Sequence, residues 1–170
     1  MGGKAREGRR VSFNEACYII GHIVNRLEEF DYKQDTEMFA LRTAGSFRRL
    51  KKEMGDIDLI VITRHVLGVK VVLAELLQKF SGGDKKFAGL LHGVQVDFVV
   101  SDKEGLGAAL MHCTGPVELN IKQRALAKRK GYLLNEKGLW KGNERLPCSS
   151  SEKAIYEQLG MTWLEPKDRG

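Results

Sequence analysis

The chain has no pair of cysteines spaced as a Cys-x-x-Cys motif. Its three cysteines, Cys17, Cys113 and Cys148, are odd in number and far apart. That pattern speaks against a disulfide framework and a zinc-binding module, and fits reduced thiols in a cytosol-like compartment. No apolar run approaches the length of a membrane span. The N-terminus, Met1 to Arg6, is followed by charge rather than by the apolar core of a signal peptide. Internal repeats and long linkers are absent as well. A soluble, intracellular chain with no membrane partner is therefore expected.

What is present is a compact globular composition: 170 residues, 42% hydrophobic and 29% charged, enough for one good core and two subdomains. A net charge of +6 and a pI near 9.3 point toward an acidic partner, with nucleic acid first.

The chemistry concentrates between Gly45 and Ile62. The segment ends in Leu59-Ile60-Val61-Ile62, a β-branched apolar run expected to be a buried strand. Asp56 and Asp58 stand at its mouth, two residues apart. Side chains so spaced project from one face of a strand, so the two carboxylates share a small volume and call for a bound cation. Upstream, Gly45-Ser46 offers a turn with backbone amides and a hydroxyl, and Arg48 and Arg49 add positive charge. A turn of donors beside a hard-cation site suits a Mg²⁺-bound triphosphate.

Along the rest of the chain, residues 1–10 are rich in Gly and Arg. Ser12-Phe13-Asn14-Glu15 has the capping-box pattern, and the apolar stripe that follows predicts a helix ending near Phe30. Arg10 lies just before that cap, where a polyanion could approach. Met38 to Ala44 reads as a first strand, Phe47 to Lys52 as a short helix, and Leu67 to Phe80 as an amphipathic helix before a loop at Ser81 to Asp84. Strands at Phe87–Leu91 and Val94–Val100 follow, turning at His92-Gly93. The second contains Asp97, a lone carboxylate among alternating apolar residues. Such a group needs a partner, either a structural hydrogen bond or a shared cation with Asp56 and Asp58. A helix from Glu104 to Cys113 leads into His112-Cys113-Thr114-Gly115-Pro116. The next helix, with Pro116 near its start, carries Asn120, Arg124, Lys128, Arg129 and Lys130 and stops at Gly131. By its charge alone this is a basic, solvated helix. A hairpin over Tyr132 to Trp140 and a last helix, Lys153 to Leu159 capped by Ser149 to Glu152, complete the chain.

Gly45-Ser46-Phe47-Arg48-Arg49, with Gly55-Asp56-x-Asp58 at this distance, resembles the catalytic signature of the DNA polymerase beta superfamily of nucleotidyltransferases, and in this form the family X DNA polymerases. The resemblance runs from about Arg10 to Arg169. It implies an α+β fold: a nucleotidyltransferase palm with a mixed β-sheet and helices over residues 1–105, and a small helical and β-hairpin subdomain for nucleotide selection over 106–170. It also implies that the N-terminal lyase domain of larger members is missing here, a plan similar to that of small viral members.

In that family the implied site is as follows. Asp56, Asp58 and Asp97 are catalytic and bind two Mg²⁺ ions, which Mn²⁺ can replace. Arg10, Ser46, Arg49 and the backbone of Gly45 and Gly55 hold the triphosphate. Thr114-Gly115 lies against the sugar of the incoming nucleotide, Asn120 reaches the minor-groove edge of its base, and Arg124 touches the template. Lys128, Arg129 and Lys130 join it in binding DNA. The implied activity is DNA-directed synthesis from dNTPs on a primer-template or gapped DNA, by a monomer, in short-gap repair. The chain departs from the family pattern twice. Gln95 replaces an arginine common two residues before the third aspartate, which weakens an expected contact to the primer terminus and should leave the metal carboxylates untouched. His112-Cys113 replaces a Tyr-Phe pair, so His112 either touches the nucleotide or packs on its own helix. In the first case rejection of ribonucleotides is weakened rather than lost. The alternatives are a non-templated, RNA or small-molecule nucleotidyltransferase, and an idle DNA-binding module.

Overall fold

A computed structural model describes residues 8–34 and 39–170. They form two compact units that divide between Val100 and Ser101, a few residues before the expected boundary.

The first unit opens with β1 (Val11–Ser12) and α1 (Phe13–Gln34), followed by β2 (Ala40–Thr43), α2 (Gly45–Arg48), β3 (Glu53–Met54) and β4 (Asp56–Ile62). It continues with α3 (Val66–Leu76), β5 (Gln78–Gly82), β6 (Lys86–Leu91) and β7 (Val94–Ser101). Five strands make one sheet in the order β2-β4-β7-β6-β5, and β1 pairs separately with β3. One face of the sheet builds the core. Ile57, Leu59 and Val61 of β4 and Val94, Val96 and Phe98 of β7 pack with Ile19, Ile23 and Leu27 of α1 and with Val69, Val72 and Leu73 of α3. The capping box forms as its sequence requires. Ser12 Oγ accepts from the Glu15 N–H at 3.3 Å, and Glu15 Oε2 accepts from the Ser12 N–H at 3.0 Å. The Ser12 N–H and hydroxyl, both donating to Glu15 Oε2, and Arg9 beside it hold the Glu15 carboxyl below its ordinary pKa.

Several boundaries differ from the sequence expectation. The first helix runs past Phe30 to Gln34, because no breaker follows the end of its apolar stripe. The first strand is confined to Ala40–Thr43, with Met38 outside the described residues. The short helix spans Gly45–Arg48 instead of Phe47–Lys52, since Leu50 turns left-handed at φ 58°. Its Phe47 stacks on Phe13 with ring centroids 4.6 Å apart, and Phe13 N–H donates to Lys52 O at 3.0 Å. The turn is thereby pinned to the start of α1. The helix expected to reach Phe80 stops at Leu76. Leu77 is extended and buried, and Gln78 pairs with Leu90 as a strand, which takes Ser81 and Gly82 out of the expected loop. A short apolar run does not distinguish a buried helix from an edge strand; pairing does.

The second unit contains α4 (Leu106–Thr114), α5 (Val117–Arg129), β8 (Leu133–Asn135), β9 (Gly138–Lys141), β10 (Glu144–Arg145) and α6 (Glu152–Leu159). The strands form a meander, so the expected hairpin gains a third strand. Ala108, Met111, Ala127, Leu134, Leu139, Ile155, Tyr156 and Leu159 are its core. One buried ion pair sits against it: Arg169 donates to Glu152 at 2.7 Å, and its guanidinium lies 4.9 Å from the Trp163 ring centre and 5.6 Å from that of Tyr156.

Candidate active site

In the first unit, strand alternation determines where the acidic residues face. Because Ile57, Leu59, Val96 and Phe98 face the core, Asp56, Asp58, Gln95 and Asp97 occupy the opposite face of the adjacent strands β4 and β7. All three aspartates are half-buried. On the neighbouring β6, Ala88 lies opposite Asp97 and Leu90 opposite Gln95.

The turn before α2 is fitted to this face. Ala44 N–H donates to Asp58 O at 2.9 Å, so the backbone of the turn is bonded to the acidic strand. Gly45 follows with φ 55°, and a Cβ built there would collide with the Asp58 carboxylate. Only glycine satisfies both the left-handed backbone and the close approach. Arg49 Nη2 donates to Ser46 Oγ at 3.2 Å, which keeps a guanidinium and a hydroxyl together at the turn. Gly55 is the single bend residue between β3 and β4.

Two side chains make contacts that the sequence did not indicate. Arg10 pairs with Glu53 at 3.5 Å, both about two-thirds exposed, because β1 and β3 bring Ser12 opposite Glu53. Gln95 was expected to leave the carboxylates untouched. Its amide nitrogen instead lies 3.0 Å from both Asp97 oxygens, since residues two apart on β7 share a face. Among the described residues, no group of three or more His, Cys, Asp or Glu side chains is gathered closely enough to hold a metal ion. The donor set nevertheless suits a hard cation. It consists of carboxylate oxygens on one face, one of them against a glycine that leaves room for no side chain.

In the second unit, α4 and α5 meet at Gly115, whose φ of 62° turns the chain, and the Gly115–Pro116 peptide is cis. Thr114 is fully buried. Asn120 Nδ2 donates to His112 O at 2.7 Å, and Arg124 Nε donates to Asn120 O at 3.3 Å. The last carbonyls of a helix have no partner within it, so Asn120 serves as a side-chain cap for the end of α4. His112, Asn120 and Arg124 line one small pocket together with Met111, Gln123 and Asn135. Lys128, Arg129 and Lys130 are exposed at the C-terminal end of α5, where positive charge also complements the helix dipole. Inside, Gln123 Nε2 donates to Tyr156 Oη at 2.8 Å, and burial pushes the Tyr156 phenol above its ordinary pKa. Neither the Gln95–Asp97 bond nor the Glu152–Arg169 pair was anticipated from sequence. The i, i+2 spacing of Gln95 and Asp97 was the available signal for the first. The second joins residues too far apart in sequence to leave one.

Among the described residues, no helix is long and apolar enough to cross a membrane. A family model described as the DNA polymerase beta thumb matches residues 109–170. The chain is 31% identical over 165 residues to the Repair DNA polymerase X of African swine fever virus (strain Badajoz 1971 Vero-adapted), covering 89% of this chain and 94% of that protein. It is 28% identical over 176 residues to the DNA polymerase/3'-5' exonuclease PolX of Bacillus subtilis (strain 168), covering 99% of this chain and 30% of that longer protein. In three dimensions it matches the polymerase beta of Leishmania infantum, solved as a ternary P/T complex. The TM-score is 0.80 at 20% identity, over 97% of this chain and 78% of the other.

Proposed function

The chain belongs to the family X DNA polymerases, which are nucleotidyltransferases, and from that premise we propose that it fills short gaps by templated transfer from dNTPs to a primer 3′-hydroxyl. The observation that carries the reading is the common face of Asp56, Asp58 and Asp97, with Gly45 pressed against Asp58. Those three carboxylates are the residues that would hold Mg²⁺. When bound there, two such ions would supply Lewis acidity toward the 3′-hydroxyl and the triphosphate.

The remaining roles belong to the chain itself. The amides of the Gly45-Ser46 turn, the Ser46 hydroxyl, Arg49 and the backbone at Gly55 bind the triphosphate and neutralise the charge that grows on the leaving pyrophosphate. Arg10 joins them by exchanging Glu53 for phosphate, an exchange that costs little at so exposed a pair. Thr114 and Gly115 shape the sugar site, and His112 lies beside it. Asn120 and Arg124 test the fit of base and template. Lys128, Arg129 and Lys130 grip the DNA backbone. Residues 1–105 act as the catalytic palm and 106–170 as the nucleotide-selection part, in a monomer.

Primer extension on single-nucleotide gapped DNA with Mg²⁺ tests the proposal. Insertion of the templated base alone is expected. Insertion of all four bases equally would identify a non-templated transferase, and a DNA mobility shift without extension an idle binding module.

A further inference from the structure

Gln95 has no place in the reaction as described, yet its amide meets the Asp97 carboxylate. The amide nitrogen lies 3.0 Å from both carboxylate oxygens. A primary amide nitrogen has no lone pair to offer, so this orientation donates, with one N–H shared between the two oxygens. The flipped amide would set its carbonyl oxygen against a carboxylate, which repulsion disfavours. The Gln95 donor is neutral: it aims the carboxylate without supplying a counter-charge of its own.

We propose that Gln95 is a positioning residue that holds Asp97 by both oxygens and competes with a divalent cation for the same lone pairs. Cation capture at Asp97 is then coupled to release of the amide. The inference rests on the reading of Asp97 as a metal ligand. A cationic donor in this place would hold Asp97 more firmly, because hydrogen bonds between ionised partners are the stronger kind. The neutral Gln95 thus sets a middle affinity, tight enough to orient Asp97 and weak enough to yield it.

The test is Mn²⁺ binding to the full-length chain without DNA or nucleotide, followed by the electron paramagnetic resonance signal of free Mn²⁺. Gln95→Leu and Gln95→Met remove the donor at similar size and should bind Mn²⁺ about tenfold more tightly, the worth of roughly one hydrogen bond to a charged group. Gln95→Lys should bind it about tenfold more weakly. Two variants of different shape guard against one that fails to fold. Asp97→Asn separates the two levels of the argument. If it weakens Mn²⁺ binding while Gln95→Leu and Gln95→Met do not tighten it, Gln95 is a bystander and the reading of Asp97 stands. If Asp97→Asn leaves Mn²⁺ binding unchanged, the metal role of Asp97 is overturned and the Gln95 inference with it.

Discussion

At Gly45 a single methyl group would meet two obstacles: a backbone at φ 55° and the Asp58 carboxylate beside its Cα. Gly45→Ala should cost about 1–2 kcal/mol from the left-handed backbone alone, with more from displacing Asp58. A lower melting temperature together with loss of extension is expected. Asp97→Asn keeps the shape and removes the charge. It should lower primer extension about a hundredfold or more while leaving DNA affinity near wild type. Near wild-type turnover in single-turnover kinetics would take Asp97 out of the reaction. His112 lines the pocket with Asn120 and Arg124, while its own carbonyl is held by Asn120. Asn120 thus holds the carbonyl of this residue, and the proposed nucleotide contact is assigned to its imidazole. His112→Tyr should change the ratio of ribonucleotide to deoxyribonucleotide insertion. An unchanged ratio and an unchanged nucleotide KM would confine His112 to its helix.

Between elements, buried polar pairs carry the risk. Glu152 and Arg169 join α6 to the end of the second unit, both almost wholly inaccessible to water. Arg169→Met should destabilise by about 3–5 kcal/mol, because the Glu152 carboxylate stays buried after losing the Arg169 guanidinium. Glu152→Leu combined with Arg169→Met should recover much of that loss, and chemical denaturation of the single and double variants measures it. Where α1 begins, the capping box makes a pH prediction. Glu15 has its pKa lowered by the Ser12 N–H and hydroxyl and by Arg9. A lowered carboxyl contributes stability above its unfolded pKa and loses it as pH falls through the folded value. The N-terminal turn of α1 should therefore fray in acid, below the ordinary glutamate range, which a pH titration of the Glu15 side-chain and Ser12 amide resonances would follow.

For the whole molecule, the net charge of +6 makes DNA binding a matter of ionic strength. The logarithm of affinity should fall linearly with the logarithm of salt concentration. Each of Lys128→Ala, Arg129→Ala and Lys130→Ala should reduce that slope by about 1 if the residue touches a phosphate. A slope unchanged in all three would move the DNA contact away from the end of α5.

The sequence alone was enough wherever chemistry is local. The Ser12–Glu15 box, the Gly45-Ser46 turn, the Asp56-x-Asp58 strand mouth and the end of α5 at Gly131 depend on neighbours a few residues away, and each was legible from spacing. So was the common side of Asp56 and Asp58, since strand alternation is a property of the backbone. Three matters needed the tertiary structure. Asp97 shares the face of Asp56 and Asp58 because β7 pairs beside β4 with its apolar residues turned to the same core. Gln78–Gly82 became a strand instead of a helix end because β6 offered an edge to pair with. Arg169 found Glu152 because packing brought donor to acceptor. Burial, pairing and face are properties of the partner segment as much as of the residue, and a single stretch of sequence carries only one side of each.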